Sequence, residues 1–336
     1  MTVKPSEVVV CAPCRLHLGF LDLEGGLGRR FGGLGLGLDG PATRLRLGRA
    51  ETLRVDGEEA ERARAHLLAI CKAHGRSPAF RLSIEKAIPA HAGLGSGTQL
   101  ALAIGKAFSL MEGLNLATPE IAATLGRGRR SGIGVGVFDA GGLVLDGGRG
   151  PRTRVPPVIA ALPFPQTWRI LLIFDPAAHG VHGAQEKAAF QDLPPFPAET
   201  AAHLCRIALM QALPAAAEAD FPAFGGAIAE IQAVMGRHFA AAQGGEPYTS
   251  KRVGRVLNWL AAHHVQGIGQ SSWGPTGFAF LPDASAARDV LENLRREDLT
   301  GTLTLQIASA RNRGADIHKE SVPRSMLAEG VPEQHP

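Results

Sequence analysis

The chain has 336 residues, of which 45% are hydrophobic and 20% charged, so it can bury substantial cores and is not globally disordered. Its length predicts about two domains. The 35 Lys and Arg residues exceed the 31 Asp and Glu residues only mildly. One Tyr and three Trp offer little surface for stacking on bases, and no zinc-finger spacing or aromatic-rich basic helix occurs. We therefore expect no nucleic-acid partner.

Four cysteines are too few and too scattered for a disulfide framework in a chain of this length. Cys11 and Cys14 have the spacing of half a zinc site, but no second close pair exists and both lie in a strand-like run. The N-terminus carries no secretory signal pattern, and no apolar run approaches the roughly 20 residues of a membrane span. These features predict a cytoplasmic protein with no membrane partner.

The first elements in chain order are strands and glycine-rich segments. An apolar run predicts a strand over residues 8–18, and a glycine-rich region over 21–40 ends in Gly33-Leu-Gly-Leu-Gly-Leu38. A strand with glycine along one face lets another backbone or a ligand lie against it. The next predicted elements are strands at 44–47 and 51–55, a helix over 58–74 and a strand over 80–88.

The most informative segment is Pro-Ala-His-Ala-Gly-Leu-Gly-Ser-Gly-Thr-Gln-Leu, residues 89–100, which lies between that strand and a predicted helix over 100–114. Glycines let backbone approach a ligand, and the free N–H groups of a first helical turn favour an anion. The alternative is a turn that only reverses the chain. The order of strand, glycines, hydroxyls and helix favours a phosphate site. Its predicted contacts are Gly93, Leu94, Gly95, Ser96, Gly97 and Thr98.

Further elements mix helices and strands. Thr118-Pro119 opens a helix, a second glycine-rich segment covers 132–142, a strand follows at 143–146, and prolines over 156–165 indicate a linker. The second half contains strands at 169–174 and 303–308, a hairpin over 267–282 and helices over 198–213, 216–236, 249–263 and 284–295. The lack of strict alternation predicts an α+β fold. Residues beyond about 319 are polar and expected to fray.

Three segments together resemble the GHMP kinase superfamily of small-molecule kinases. They are Ala12-Pro-Cys-Arg-Leu-His-Leu-Gly19, Pro89-x-x-x-Gly-Leu-Gly-Ser96 and the glycine-containing stretch 267–279. The resemblance implies a domain like the second domain of ribosomal protein S5 over residues 1–160, a ferredoxin-like domain over 166–320 and a disordered tail over 321–336. The ligand is expected between the two domains.

The chain departs from the kinase pattern at positions that matter for chemistry. Gly134 stands where many GHMP kinases have an Asp that acts as base, and Gly97 stands where they have a second serine. Glu120 is the nearest candidate for the metal-binding Glu of the kinases. Together these departures argue against phosphoryl transfer from ATP.

One branch of the superfamily matches these departures. Residues 15–23, 130–134 and 139–142, and above all Gly269-Gln-Ser-Ser-Trp-Gly-Pro-Thr276, resemble β-ribofuranosylaminobenzene 5′-phosphate synthases. The resemblance implies a Mg²⁺-dependent homodimeric transferase of methanopterin biosynthesis. It would join 5-phosphoribosyl 1-pyrophosphate to 4-aminobenzoate and release CO₂ and pyrophosphate. 4-Hydroxybenzoate stays open as the acceptor, and an ATP-dependent GHMP-type kinase is the alternative function.

The implied reaction needs cationic side chains that bind phosphate. It also needs a carboxylate that either binds Mg²⁺ or stabilises positive charge on the ribose ring. A solvated surface charge is the alternative for each Arg, and a turn residue for each Asp. His17, His179 and His182 are weaker phosphate donors, and the segment from His179 to Glu186 has no assigned step. The predicted catalytic residues are Arg15, Asp22, Arg29 and Asp139, and Asp22 is also the predicted metal ligand. Arg130 and Ser131 are predicted to join the phosphate contacts. The residues predicted to hold the aryl acid are Gln270, Ser271, Ser272 and Trp273.

Overall fold

The computed structural model describes residues 5–178, 180, 190, 193–271 and 274–320. Its centre is a long antiparallel pair, β1 (Glu7–Asp22) and β2 (Phe31–Arg49), in which Arg15 pairs with Gly37. Bulges interrupt this pairing after Pro13 and after His17. Because β2 also pairs with three other strands, it organises the whole sheet.

Among the described residues, the remaining elements of the first half are four helices and four further strands. They are β3 (Arg54–Gly57), α1 (Ala60–Ala73), β4 (Phe80–Lys86), α2 (Ser96–Glu112), α3 (Thr118–Thr124), α4 (Ile133–Asp139), β5 (Leu143–Asp146) and β6 (Val158–Leu162). The predicted helices over 58–74 and 100–114 and the strands over 80–88 and 143–146 are confirmed with small shifts of their ends. The segment 51–55 is a strand only in its last two residues.

The second half adds five strands and further helices among the described residues. They are β7 (Arg169–Phe174), α5 (Ala198–Ile207) with a π-helical turn (Ala208–Ala212), α6 (Leu213–Glu218), α7 (Phe221–Phe239), a 3₁₀ turn (Ala240–Gln243), α8 (Lys251–Ala262), β8 (Gly269–Gln270), β9 (Gly277–Leu281), α9 (Ala284–Arg296), β10 (Thr304–Ala310) and β11 (Asp316–Glu320). The predicted α+β class is confirmed. No helix in the described ranges has the length and apolar character needed to cross a membrane.

All eleven strands belong to one sheet, whose main path runs β11-β1-β2-β10-β7-β9-β8. Strand β10 joins the two halves, since Ala310 pairs with Leu38 of β2 while Ile307 pairs with Leu171 of β7. The predicted second domain, 166–320, includes β11, but β11 pairs with β1 in the N-terminal part of the sheet. The domain boundaries stay a prediction, and the predicted tail lies outside the described residues.

The two halves share one hydrophobic core. Leu16 and Leu36 of the β1–β2 pair belong to the same buried cluster as Ile228 of α7 and Phe280 of β9. A separate cluster packs α1 and α2 against β1, β2 and β4, and a third fills the second half. The shared cluster holds the start of α2 in a fixed position relative to the second half, because burial of large apolar side chains is strongly stabilising.

Helix α4 covers the glycine face of β2. A Cβ atom on Gly35 would lie 2.4 Å from Cγ2 of Ile133, and one on Gly37 would lie 3.2 Å from Cγ1 of Val137. Larger residues at these positions would lift α4 from the strand. The glycine face therefore accommodates a helix rather than a ligand, and the segment 132–142, which the sequence marks only as glycine-rich, begins with that helix.

Candidate active site

A glycine turn leads into α2 and exposes the first amides of the helix. Gly93 and Gly95 have φ angles of 79° and 83°, which are left-handed and favour glycine. The N–H groups of Thr98 and Gln99 both donate to the carbonyl of Gly95 at 3.0 Å. The preceding N–H groups, of Ser96 and Gly97, have no intrahelical acceptor. The turn predicted to bind phosphate thus has the geometry of an anion site.

Arg15 holds the glycine turn from β1. Its backbone N–H donates to the carbonyl of Leu94 at 3.1 Å, and its Nη1 donates to the carbonyl of Gly93 at 2.5 Å. A Cβ atom on Gly95 would lie 3.1 Å from Cγ of Arg15, so the side chain runs directly beside the turn. The structure therefore brings Arg15 to the predicted phosphate contacts.

The second half of the chain holds the same turn from the other side. The Ser271 hydroxyl donates to the carbonyl of Gly93 at 2.7 Å and accepts the His17 N–H at 3.2 Å, and Ser271 is fully buried. Thr276 donates to the carbonyl of Ala92 at 2.6 Å. A Cβ atom on Gly274 would lie 2.4 Å from Cα of Gly93, so the two backbones touch. The hydroxyl of Ser271 supports the turn, and its predicted contact with an aryl acid stays a prediction.

Gln270 also has a supporting role. Its Oε1 accepts the Thr249 N–H at 2.6 Å, and its Nε2 donates to Oε1 of Gln243 at 2.9 Å. Its backbone N–H donates to Gln232. The side-chain amide binds the segment after α7, and its predicted contact with an aryl acid stays a prediction. Ser272 and Trp273 lie outside the described residues, as do His179, His182 and Glu186.

Arg127 borders the turn and was not among the predicted site residues. A Cβ atom on Gly97 would lie 3.2 Å from Nη2, 3.3 Å from Nη1 and 3.4 Å from Cζ of Arg127. Burial lowers the pKa of Arg127, and burial together with Arg127 and Arg62 lowers the pKa of His66 to about 4. His66 is therefore neutral near pH 7, and its Nε2 lies 3.4 Å from Nη2 of Arg127. The glycine at position 97, which leaves space for the Arg127 guanidinium, was the one sequence signal for Arg127.

The position of the kinase aspartate is packed against the same turn. A Cβ atom on Gly134 would lie 2.9 Å from Cγ2 of Thr98, and Nε2 of Gln99 donates to the carbonyl of Gly134 at 2.9 Å. The start of α4 is thus fitted closely to the first turn of α2. A side chain at position 134 would require the Thr98 methyl group to move.

Asp22 and Arg29 lie at the other end of β1. Asp22 is seven residues beyond Arg15, roughly 20 Å along an extended strand. Its Oδ1 accepts the N–H groups of Glu24 and Gly25 at 2.9 and 2.8 Å. Arg29 is exposed and donates from Nε to Gly147 and from Nη2 to the carbonyl of Gly148. Both residues stabilise turns, and the structure does not bring them to the glycine turn.

Arg130 and Ser131 have partners within the protein, and their contact with phosphate stays a prediction. The Arg130 guanidinium lies 4.8 Å from the ring centroid of Phe190. The Ser131 hydroxyl donates to Oδ2 of Asp146 at 2.9 Å and accepts the Ile133 N–H at 3.2 Å, so it stabilises the start of α4. Asp146 is a buried residue that the sequence did not single out, and burial raises the pKa of its carboxyl.

Asp139 ends α4, at the opposite end from Gly134. The Thr118 hydroxyl donates to Oδ1 of Asp139 at 2.5 Å, which links α4 to α3. Desolvation raises the pKa of Asp139. Because about 8 Å of helix separates Asp139 from Gly134, its carboxylate does not border the glycine turn. The structure places Asp139 at the far end of α4 from Gly134, and its catalytic role toward Mg²⁺ or the ribose ring stays a prediction.

Comparison with known proteins identifies the family of this chain. The GHMP kinases N terminal domain model matches residues 61–145, and the GHMP kinases C terminal model matches residues 212–299. A β-ribofuranosylphenol 5′-phosphate synthase from Archaeoglobus fulgidus is 36% identical over 91% of this chain and 97% of its own length. The chain belongs to this synthase family. The family resemblance predicted from the sequence is confirmed.

A second family member, from Methanothermobacter thermautotrophicus, carries the same name and is 31% identical over 93% of this chain and 99% of its own length. Solved structures show the shared fold. Mevalonate diphosphate decarboxylase from Staphylococcus aureus superposes with a TM-score of 0.66 at 14% identity, covering 94% of this chain and 98% of its own. Homoserine kinase from Cytophaga hutchinsonii superposes with a TM-score of 0.61 at 17% identity, covering 95% of this chain and 99% of its own.

Proposed function

We propose that this synthase joins C1 of 5-phosphoribosyl 1-pyrophosphate to the ring of 4-aminobenzoate and releases pyrophosphate and CO₂. The observation that carries the proposal is an anion site at the start of α2, bordered by Arg15 and Arg127, with glycine at position 134. The relatives' name describes a ribofuranosyl phosphate joined to a phenol, which supports a phosphorylated ribose donor and an aromatic acceptor. Because a phenol product keeps the hydroxyl of 4-hydroxybenzoate, whereas 4-aminobenzoate would give an aminobenzene, the name favours 4-hydroxybenzoate, which is the competing acceptor here.

The chemistry requires no strong base. The C1–O bond of the ribose breaks and its electron pair leaves with pyrophosphate, while the ring carbon that bears the carboxylate supplies the electrons of the new C–C bond. The bond from that ring carbon to the carboxylate then breaks, its electron pair restores the aromatic ring, and CO₂ leaves in place of a proton. A glycine at position 134 is compatible with this sequence of steps, because no hydroxyl of the acceptor has to be deprotonated by an aspartate.

The chain's own groups would bind and orient the donor. Phosphate oxygens suit both the free amides of Ser96 and Gly97 and the forked guanidinium of Arg15, which binds two oxygens at once. Asp22 and Arg29, at the far end of β1, would contact the opposite end of the donor. The buried bonds of Ser271 and Thr276 to the turn keep these amides in place.

Mg²⁺ would be held mainly by the donor. In the described residues, no three His, Cys, Asp or Glu side chains lie together in an arrangement that could hold a metal. Mg²⁺ commonly binds through one or two carboxylates, substrate phosphates and water, so a single protein ligand is sufficient. The carboxylate of Asp22 is oriented by the two N–H groups that its Oδ1 accepts, and it is the proposed ligand. When bound, Mg²⁺ would neutralise the charge of the departing pyrophosphate.

The experiment is a CO₂-release assay. Purified protein is incubated with 5-phosphoribosyl 1-pyrophosphate, Mg²⁺ and carboxyl-labelled 4-aminobenzoate or 4-hydroxybenzoate. We expect labelled CO₂ and pyrophosphate in equal amounts, with one acid preferred. The absence of release from folded protein with both acids would contradict the proposal.

An ATP-dependent kinase is the second candidate, because both GHMP kinase domain models match the chain. Consumption of ATP with a small alcohol, together with no CO₂ release, would establish it. Glycine at position 134 disfavours it, since the chain lacks the aspartate that many of these kinases use as a base there.

A further inference from the structure

Arg127 is a partly buried cation without an ion-pair partner in the described part of the chain. Its backbone N–H donates to the carbonyl of Ala122 at 2.7 Å, which fixes the residue at the end of α3. Its Nε is buried and makes no hydrogen bond, and His66 is the one hydrogen-bonding neighbour of its guanidinium among the described residues. A buried cation is costly unless an anion compensates it. The neutral imidazole of His66 does not supply that compensation.

The guanidinium takes the place of a side chain on α2. Three of its atoms lie 3.2–3.4 Å from where a Cβ of residue 97 would be, and only glycine leaves that space free. The free amides of Ser96 and Gly97 belong to the same helical turn. Two kinds of donor therefore meet at one end of α2, and Arg15 borders the same turn at Gly95. This arrangement suits an anion with several oxygens.

We infer that Arg127 binds a phosphate group of the donor at the N-terminus of α2, with His66 as a positioning residue that accepts from the guanidinium. The inference rests on the proposed function only for the identity of the donor. The phosphate could be the 5-phosphate or part of the pyrophosphate. Ribose 5-phosphate and inorganic pyrophosphate each carry one of these groups and serve as separate probes.

The test is calorimetric titration of the wild type, Arg127→Gln, Arg127→Lys and Arg64→Gln with each probe. Arg64 is exposed on α1 and has no recorded partner among the described residues, so Arg64→Gln is the matched loss of one charge. We expect Arg127→Gln to weaken binding of one probe roughly 10- to 100-fold. Arg127→Lys should restore part of the lost affinity, and the affinity of Arg64→Gln should stay within about twofold of the wild-type value. Circular dichroism checks that each variant is folded.

Two results would overturn the inference: wild-type protein that binds neither probe, or an Arg127→Gln variant that binds both as the wild type does. The CO₂-release assay separates this failure from failure of the proposed function. If Arg127→Gln releases CO₂ as the wild type does, the inference about Arg127 is contradicted while the synthase activity is supported. If the wild type releases no CO₂ but binds a probe in a way that depends on Arg127, the phosphate site is supported and the proposed activity is contradicted. In an active enzyme, loss of the contact should raise KM for the donor.

Discussion

Burial near the glycine turn shifts the pKa of an individual side chain, His17. His17 is only 2% exposed, next to Arg15 in β1, and its ring centroid lies 4.5 Å from that of Phe20. Burial, and secondarily Arg15, lowers the pKa of His17 to about 3. The folded protein therefore keeps this imidazole neutral at pH values where an unfolded chain would protonate it.

The first prediction concerns acid stability. The unfolded chain protonates His17 below about pH 6.5, while the folded protein does not until about pH 3, so acidification favours the unfolded state. Between pH 6.5 and 5, we expect the wild type to lose about 2 kcal/mol of unfolding free energy relative to His17→Gln. Urea denaturation of both proteins at each pH measures this difference. Parallel pH profiles would contradict it.

The second prediction concerns Asp22. Asp22→Asn keeps an Oδ1 that can accept the Glu24 and Gly25 N–H groups but removes the charge proposed to bind Mg²⁺. We expect CO₂ release to fall at least roughly 100-fold while thermal stability stays close to that of the wild type. An active variant with an unchanged Mg²⁺ requirement would show that the carboxylate acts only in the turn.

Residue types identified the glycine turn but not all of its partners. The spacing of Gly93, Gly95 and Ser96 predicted the turn correctly, because only glycine suits its left-handed positions. Arg127 was missed because its neighbour is thirty residues away in sequence. Ser131 and Gln270 were assigned to ligands because a hydroxyl and an amide can bind one, yet buried protein groups use both. A side chain's chemistry does not reveal which partner satisfies it.

At the scale of elements, α4 and β2 depend on each other. Gly132, Gly134 and Gly136 are poor helix formers, and local sequence therefore gave no helix at this position. Close packing on the glycines of β2 stabilises the helix instead, as tertiary contacts commonly do for short helices. The strands and the longer helices carry their own periodic patterns and were predictable.

The third prediction tests this packing. Gly35→Ala would place a Cβ 2.4 Å from Ile133 and 2.7 Å from the carbonyl of Leu16, so one element must shift. We expect a loss of about 1–3 kcal/mol in unfolding free energy. Gly48→Ala on the same strand is the control, since its nearest contact is 3.6 Å away, at Glu7. Equal stabilities in chemical denaturation would show that α4 is not fitted closely to β2.

At the scale of the whole molecule, the second half of the chain supports a site whose amides belong to the first half. Ser271 and Thr276 donate to the carbonyls of Gly93 and Ala92, and neither bond was predictable, because the partners are more than 170 residues apart in sequence. The expected homodimer and cytoplasmic location stay predictions.

The fourth prediction concerns that support. Ser271→Ala would leave the Gly93 carbonyl and the His17 N–H without this buried partner, so we expect a loss of about 1–3 kcal/mol and a raised KM for the donor. Ser83→Ala, which removes a bond to Asp56 near the surface, is the control and should change stability by less than about 0.5 kcal/mol. Donor kinetics that match the wild type would show that the hydroxyl does not position the turn.

The return of β11 to β1 has a consequence for synthesis of the protein. During translation, β1 emerges first, but the strand that covers its outer edge is residues 316–320. Strand β10, which also pairs with β2, emerges only slightly earlier. The N-terminal sheet therefore has two incomplete pairings until nearly all of the described chain has left the ribosome. Unpaired strand edges promote aggregation, so the nascent chain is expected to depend on chaperones for most of its synthesis.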